Sequence, residues 1–176
     1  MKKITWTQER WDAVSRQHQD PRYLWEKDDY GWVDSKGYVS YKQIIKELNI
    51  KSILDYGCGL GKTFDSLKPE ISITNYDPWI EEFSEFPTGQ FDIVTCVAVL
   101  NNVDKEYMDD VLTNIKNFTR GPALFNISIR PDNTEKQFYI ESIEKHFTII
   151  KTLESDYLPS PLDGVPFYRL FLHLHK

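Results

Sequence analysis

The chain has 176 residues, 40% hydrophobic and 14% aromatic, enough for one domain of ordinary size with a real core. Its formal net charge is -6 and it contains no long basic run, which argues against a wide phosphate-tracking surface or any extended nucleic-acid contact. "MKKITWTQERWDAV" lacks the apolar core of a signal peptide, and no stretch approaches the roughly 20 apolar residues of a membrane span. The expectation is a single cytoplasmic domain over residues 1–176 with no membrane partner; the oligomeric state is not legible.

In chain order, residues 1–50 read as helix, loop, helix, a cap of helical and aromatic character. Thr5 with Gln8, and Ser40 with Gln43, fit capping boxes. After Ser40, the residues Tyr41, Ile44, Ile45 and Leu48 recur at helical spacing. The intervening "DPRYLWEKDDYGWVDSKGY" is aromatic and turn-rich, an ordered loop whose rings need burial. From Lys51 the pattern becomes α/β. "SILDY" is a buried strand, "GKTFDSLK" a short helix, "ISITNYD" a second strand, and "FDIVTCVAVL" a third, apolar on both faces and so central. A helix is predicted from about Asp104, with Tyr107, Met108, Val111, Leu112, Ile115 and Phe118 inward and Gly121 at its end. "PALFNISI" is a strand, and Thr134 with Gln137 opens a helix to about His146. "FTIIKTLE" and "PFYRLFLHLH" are joined by a proline-rich loop, which suits an antiparallel hairpin at the sheet edge. The fold class is α/β, a mostly parallel Rossmann-like sheet ending in that hairpin.

Ligands of such sheets bind beyond the carboxyl ends of the strands. Ile53–Gly61, Asp77, Leu100–Asp104 and Ile129–Asp132 all fall there, and the 155–166 loop leaves from the same edge. The two cysteines, Cys58 and Cys96, read as small core residues. With the four histidines they form no zinc-like spacing, so no metal is expected. His173 and His175 alternate with leucines on what reads as an edge strand, and so read as exposed.

The glycines Gly57, Gly59 and Gly61 after an acid, Asp55, allow a tight turn against which a ligand can pack directly. A dinucleotide binder would place its third glycine where Lys62 stands, so a nicotinamide-dependent oxidoreductase is disfavoured. "DYGCGLG" instead resembles the first motif of the class I S-adenosylmethionine (SAM)-dependent methyltransferases, an acid followed by Gly-x-Gly-x-Gly. Asp77 at the end of the second strand, the Phe91–Asp92 start of the third, and the closing hairpin extend the resemblance over residues 51–176.

The resemblance implies a SAM cofactor. Its binding residues would be Asp55, Tyr56, Gly57, Cys58, Gly59, Gly61, Asp77, Pro78, Trp79, Val99 and Leu100, with Asp55 attracting the ammonium, Asp77 taking the ribose hydroxyls, and Tyr56, Trp79 or an N-terminal aromatic lining the pocket. Thirteen residues separate Asp77 from Phe91. The ordinary fold puts a helix and a strand there; this segment has room for only one element. The third strand is therefore predicted to be missing, leaving six strands, with Pro78, Trp79, Ile80 and Phe86 as an adenine wall. Asn101–Asn102 stands where many members have an acid and a histidine. The short form resembles methyltransferase-like proteins of bacteriophages. Tyr30, Asn101, Asn102, Arg130 and Asp132 are the catalytic candidates near the methyl. A small-molecule or nucleotide-type acceptor is expected. The alternatives are a SAM-binding module without transfer and a tRNA or DNA methyltransferase.

Overall fold

A computed structural model describes residues 12, 31–34, 37–130, 134–156, 158–159 and 166–176. Asp12 is helical, and the rest of the expected first helix lies outside the described residues. Part of the aromatic segment expected to be a loop is instead a β-hairpin. Strand β1, Gly31–Asp34, pairs antiparallel with β2, Gly37–Ser40. Helix α1, Tyr41–Glu47, follows directly, and Tyr41 and Ile45 on its inner side are fully buried. Asn49, at a φ of 50°, ends it in the left-handed conformation that asparagine tolerates well.

The main sheet is built from β3 (Ser52–Tyr56), β4 (Ser72–Tyr76), β5 (Ile93–Val97), β6 (Pro122–Ile129), β7 (Thr148–Glu154) and β9 (Pro166–His175). The short β8, Leu158–Pro159, pairs with β9 beside it. The strand order is β4-β3-β5-β6-β9-β7. The first four run parallel, and β9 is antiparallel to both its neighbours. No strand lies between Asp77 and Phe91, so β4 is an edge and the predicted loss of the third strand is observed. Helices α2 (Met108–Phe118) and α3 (Thr134–Glu144) complete the layers.

The strand periodicity of two sorts side chains onto two faces. Leu54, Tyr56, Val94, Cys96, Phe125 and Ile127 pack on one side with residues of α2 and α3. Ile53, Ile93, Leu124 and Phe171 pack on the other with Tyr41 and Ile45 of α1 and with Phe64 and Leu67. Asp92, at the entry to β5, holds the start of β3 in register: its Oδ2 accepts from the backbone N–H of Lys51 (2.8 Å) and Ser52 (3.0 Å). Those amides, the Lys51 N–H above all, hold its carboxyl below the usual carboxylate range.

Two expectations need correction. "GKTFDSLK" is not a regular helix but one 3-10 turn, Asp65–Leu67. Gly61 enters it at a φ of 69° and Pro69 follows soon after, so few residues remain for a costly nucleus. And β9 is not the edge strand; it lies between β6 and β7, which leaves β7 at the edge. His173 is consequently half-buried, and burial lowers its pKa, while His175 at the strand end is exposed.

Candidate active site

The carboxyl end of β3 delivers the glycine loop to the carboxyl end of β4, and backbone bonds fasten the two. The N–H groups of Gly57 and Cys58 both donate to the Tyr76 carbonyl, at 2.7 and 3.1 Å. Gly57, Gly59 and Gly61 all have positive φ, 79°, 56° and 69°, a region that costs an L-residue free energy. Their surroundings differ. A Cβ on Gly57 would lie 2.3 Å from Val99 Cγ2, and one on Gly61 would lie 2.6 Å from Asn75 Nδ2 and 2.7 Å from Phe83 Cζ. A Cβ on Gly59 would meet nothing within 4 Å, although Gly59 itself is buried. The first and third glycines are thus required by the protein's own packing, whereas the second opens onto free space.

Two buried carboxylates sit beneath this turn. Asp55 is 2% exposed and accepts from Thr95 Oγ1 at 2.8 Å. Burial pushes its pKa up to about 7, and the nearby Asp77 charge adds to the shift. Asp77, also 2% exposed, accepts the Gly59 N–H on Oδ2 at 2.9 Å and the Trp79 N–H on Oδ1 at 3.0 Å. It therefore clamps the middle of the glycine loop to the segment after β4. Asn75, one turn of the pleat below, donates from Nδ2 to the Gly61 carbonyl at 3.1 Å.

The loop after β5 forms the opposite wall. Ala98 has a φ of 56°, rare for a residue with a side chain, and is held there from both sides. Its N–H donates to the Asn126 carbonyl (2.9 Å), and its own carbonyl accepts from Asn102 Nδ2 (3.1 Å). Val99, next in the chain, packs against Gly57, and Leu100 is fully buried. Asn101 bonds to Ser128 twice, donating to its carbonyl at 2.5 Å and accepting from its N–H at 2.9 Å.

Three comparisons bear on this arrangement. The family model for a methyltransferase domain matches residues 26–143, two thirds of the chain. The chain belongs to the methyltransferase-domain family. Its fold is that of the class I SAM-dependent methyltransferases, as solved structures of low identity agree. An N-methyltransferase, NodS, from Bradyrhizobium japonicum, crystallised with S-adenosyl-L-homocysteine (SAH), superposes with a TM-score of 0.63 at 13% identity, covering 95% of this chain and 98% of that one. A 1,6-didemethyltoxoflavin N1-methyltransferase from Burkholderia thailandensis gives 0.59 at 16% identity, covering 100% and 94%. The magnesium protoporphyrin IX methyltransferase of Synechocystis gives 0.55 at 13% identity, covering 100% and 86%. A sequence search among characterised proteins finds no significant match.

Within this methyltransferase domain, Asp55, Gly57, Cys58, Gly59, Gly61, Asp77, Pro78, Trp79, Val99 and Leu100 gather around the glycine loop and the two segments that flank it. Tyr56 is in the chain position expected, but its ring packs in the core against Tyr76 at 5.1 Å and Phe118 at 6.4 Å. Phe86, expected in an adenine wall, also turns into the core, against Tyr76 and Phe118. The Cys58 thiol is buried and its pKa raised, as is that of Cys96, so neither is a ready thiolate. Arg130 is exposed at the end of β6. Tyr30 and Asp132 lie outside the described residues.

The sequence reading passed over Thr95, Asn75 and Asn126. Asn126 is fully buried in β6, its Nδ2 donating to Tyr41 Oη at 2.9 Å. Among the described residues no donor reaches its Oδ1. The signal was slight: one amide in the run "PALFNISI", whose other polar residue is Ser128.

Proposed function

We propose that this methyltransferase uses SAM to methylate a small-molecule or nucleotide-type acceptor at the carboxyl edge of the sheet. The observation that carries the reading is the pair of buried carboxylates, Asp55 and Asp77, beneath a glycine that opens onto free space. A cationic, hydroxyl-rich ligand matches that environment. Asp55 would face the ammonium, and a positive partner repays the cost of charging a buried carboxyl. Asp77, a buried carboxylate at the end of β4, would accept ribose hydroxyls in charge-assisted hydrogen bonds. The N–H groups and carbonyls of the loop offer the remaining polar contacts. Trp79 and Pro78, half-buried next to Asp77, supply the surface nearest to a base.

Bound there, SAM supplies a methyl already activated by its sulfonium. The chain's own task is to hold the acceptor in line and keep water out. Asn102 fixes Ala98 and Asn101 ties the same loop to Ser128, both through backbone groups, which supports a positioning role for both; Arg130 and Tyr30 remain the candidates for direct contact with the acceptor. The acceptor class rests on net charge and on the neighbours. A charge of -6 does not favour a polyanionic substrate, and the toxoflavin and protoporphyrin enzymes act on small molecules by their names. Among the described residues no helix is long and apolar enough to cross a membrane, and we assign the protein to the cytoplasm as a single domain with residues 1–50 as its cap.

Calorimetry with SAH tests the cofactor, and transfer of labelled methyl from SAM over a panel of amines, phenols, heterocycles, nucleotides and tRNA tests the reaction. Micromolar SAH binding with turnover on a small molecule is expected. A second reading, a SAM-binding module without transfer, draws support from the engagement of Asn101 and Asn102 with the backbone; tight SAH binding with no turnover on any panel member would favour it.

A further inference from the structure

Asn126 presents a problem that the cofactor does not solve. A side-chain carbonyl buried without a donor costs about 1–3 kcal/mol, and an apolar residue would fill a β-strand position in this core at no such cost. The amide sits on the same sheet face as Asp55. Leu54, Tyr56, Phe125 and Ile127 share the opposite face, and Asn126 bonds to Tyr41 of the α1 side. The registers β3–β5 (Asp55↔Thr95) and β5–β6 (Val97↔Asn126) put Asn126 two strands across and two residues further toward the carboxyl edge. With strands about 4.8 Å apart and about 3.3 Å per residue, that separation is about 12 Å. The amine and sulfonium of the bound cofactor are only a three-carbon chain apart. With the methionine tail running from Asp55 toward β6, a methyl acceptor beyond the sulfonium would span the rest of that distance to Asn126. The backbone carbonyl of Asn126 also holds Ala98, whose neighbour Val99 packs on Gly57, so this strand position is linked to the cofactor loop through the 98–99 corner.

We infer that Asn126, oriented by Tyr41, is an acceptor subsite whose free Oδ1 receives an N–H or O–H from the nucleophilic end of the methyl acceptor. The inference rests on the proposed SAM site. Tyr41 is fully buried and packs on Phe171 at 5.3 Å, so it fixes the amide plane and leaves the carbonyl pointing away from its own bond. A donor on the acceptor gains one hydrogen bond there, and an acceptor without one leaves the carbonyl unpaired. The site thus selects amines, amides and hydroxyls over apolar groups of the same shape.

The test uses the full chain saturated with SAH and two isosteric probes, aniline and toluene, whose binding is measured by calorimetry on parent and variant alike. Aniline should bind about fivefold more tightly than toluene, the worth of a net neutral hydrogen bond. In the double variant Asn126→Leu/Tyr41→Phe, which replaces both polar partners with apolar shapes, that preference should vanish. The variant should keep its SAH affinity and unfold at no lower a denaturant concentration than the parent. Equal binding of both probes to the parent overturns the inference, as does a preference that survives in the variant. A variant much less stable than the parent also overturns it, because the amide then holds a buried water as part of the fold. Failure of the parent to bind SAH at all is a different result, which sinks the cofactor assignment first.

Discussion

The three glycines divide into two kinds, and alanine substitution separates them. At Gly57 the new Cβ would be 2.3 and 2.8 Å from the two Val99 methyls. No side chain tolerates such contacts, and Val99 is itself buried on a fastened corner. Overpacking of this sort costs about 1–3 kcal/mol, and a φ of 79° adds about 1–2 kcal/mol for a residue with a Cβ. Gly57→Ala should therefore lose about 2–5 kcal/mol of stability. At Gly59 the φ of 56° lies in the left-handed well and nothing stands within 4 Å, so Gly59→Ala should lose only about 1 kcal/mol. Its methyl, however, projects into the space assigned to the cofactor, and SAH affinity should fall by at least about tenfold, or 1.4 kcal/mol. Denaturant midpoints give the first quantity and calorimetry the second. Val99→Ala in the Gly57→Ala background removes both clashing methyls and should recover the packing part of the loss, leaving the φ part. Unchanged SAH binding by Gly59→Ala would refute the placement of the ligand. Equal stability of the two single variants would refute the distinction itself.

Asp55→Asn probes the buried carboxyl. With a folded-state pKa raised from 3.8 to about 7, the folded chain binds the extra proton, so this group's contribution to stability is present below about pH 4 and is lost as pH rises through 7. Asn should remove that loss, at most about 4 kcal/mol above pH 7, while weakening SAH binding. In the parent, SAH affinity should rise with pH between 5.5 and 7.5, because the ammonium prefers the charged carboxylate; calorimetry across that range showing a flat profile would remove Asp55 from the ammonium site. Asp77→Ala should weaken SAH by about 1.5–3 kcal/mol, the range for charged hydrogen bonds, and also destabilise the free protein by freeing the Gly59 and Trp79 amides, the first of them buried. Unchanged affinity would leave Asp77 as a clamp on the loop alone. Asn101→Ala abandons two bonds to Ser128 and should lower stability by about 1–3 kcal/mol; a large drop in kcat with the denaturation midpoint intact would instead mark a direct catalytic role.

The parts of the fold that depend on a continuous apolar run were legible. "SILDY" read as a buried strand, "FDIVTCVAVL" as a central one and "PALFNISI" as a strand, and all three lie inside the sheet, because a strand covered on both faces has to be largely apolar on both. The hairpin of β7 and β9 was legible from its connection, but not that β9 inserts between β6 and β7. Nothing local distinguishes which member of a hairpin takes the edge, so His173 read as exposed and is half-buried. The glycine motif announced a close approach without saying whose. Two of its members make room for Val99, Asn75 and Phe83. Asp77 was legible as a ligand candidate and not as the clamp on Gly59 and Trp79, since a carboxylate's partners across 18 residues of chain are fixed only by the fold. Asn126 escaped notice because one amide in a strand has no periodic or motif signature.

The absent third strand is better understood as a substitution than as a loss. An edge left bare by deletion would expose β4 and the aromatic ring of Tyr76 beneath it. Instead the 78–90 segment folds back on the carboxyl end of β4. The Asp77 N–H donates to the Phe83 carbonyl at 3.0 Å, which closes the turn on the residue that also clamps the glycine loop. Phe86 covers Tyr76 edge-on at 5.5 Å and reaches Phe118 at 5.3 Å, filling the core volume at that end of α2. Phe83 presses on the position where Gly61 can carry no side chain. Two phenylalanines and one backbone bond thus do locally what a strand and its connection would otherwise do, and they do it against the cofactor loop. This follows from length: the connection has to pass from β4 beyond β3 to β5, and with 13 residues it has none to spare for a further strand, so its apolar residues are buried against β4 and the end of α2. The glycine loop and the shortened segment are therefore one packing unit, and a substitution at Phe83 should be felt at Gly61 before it is felt anywhere in the sheet.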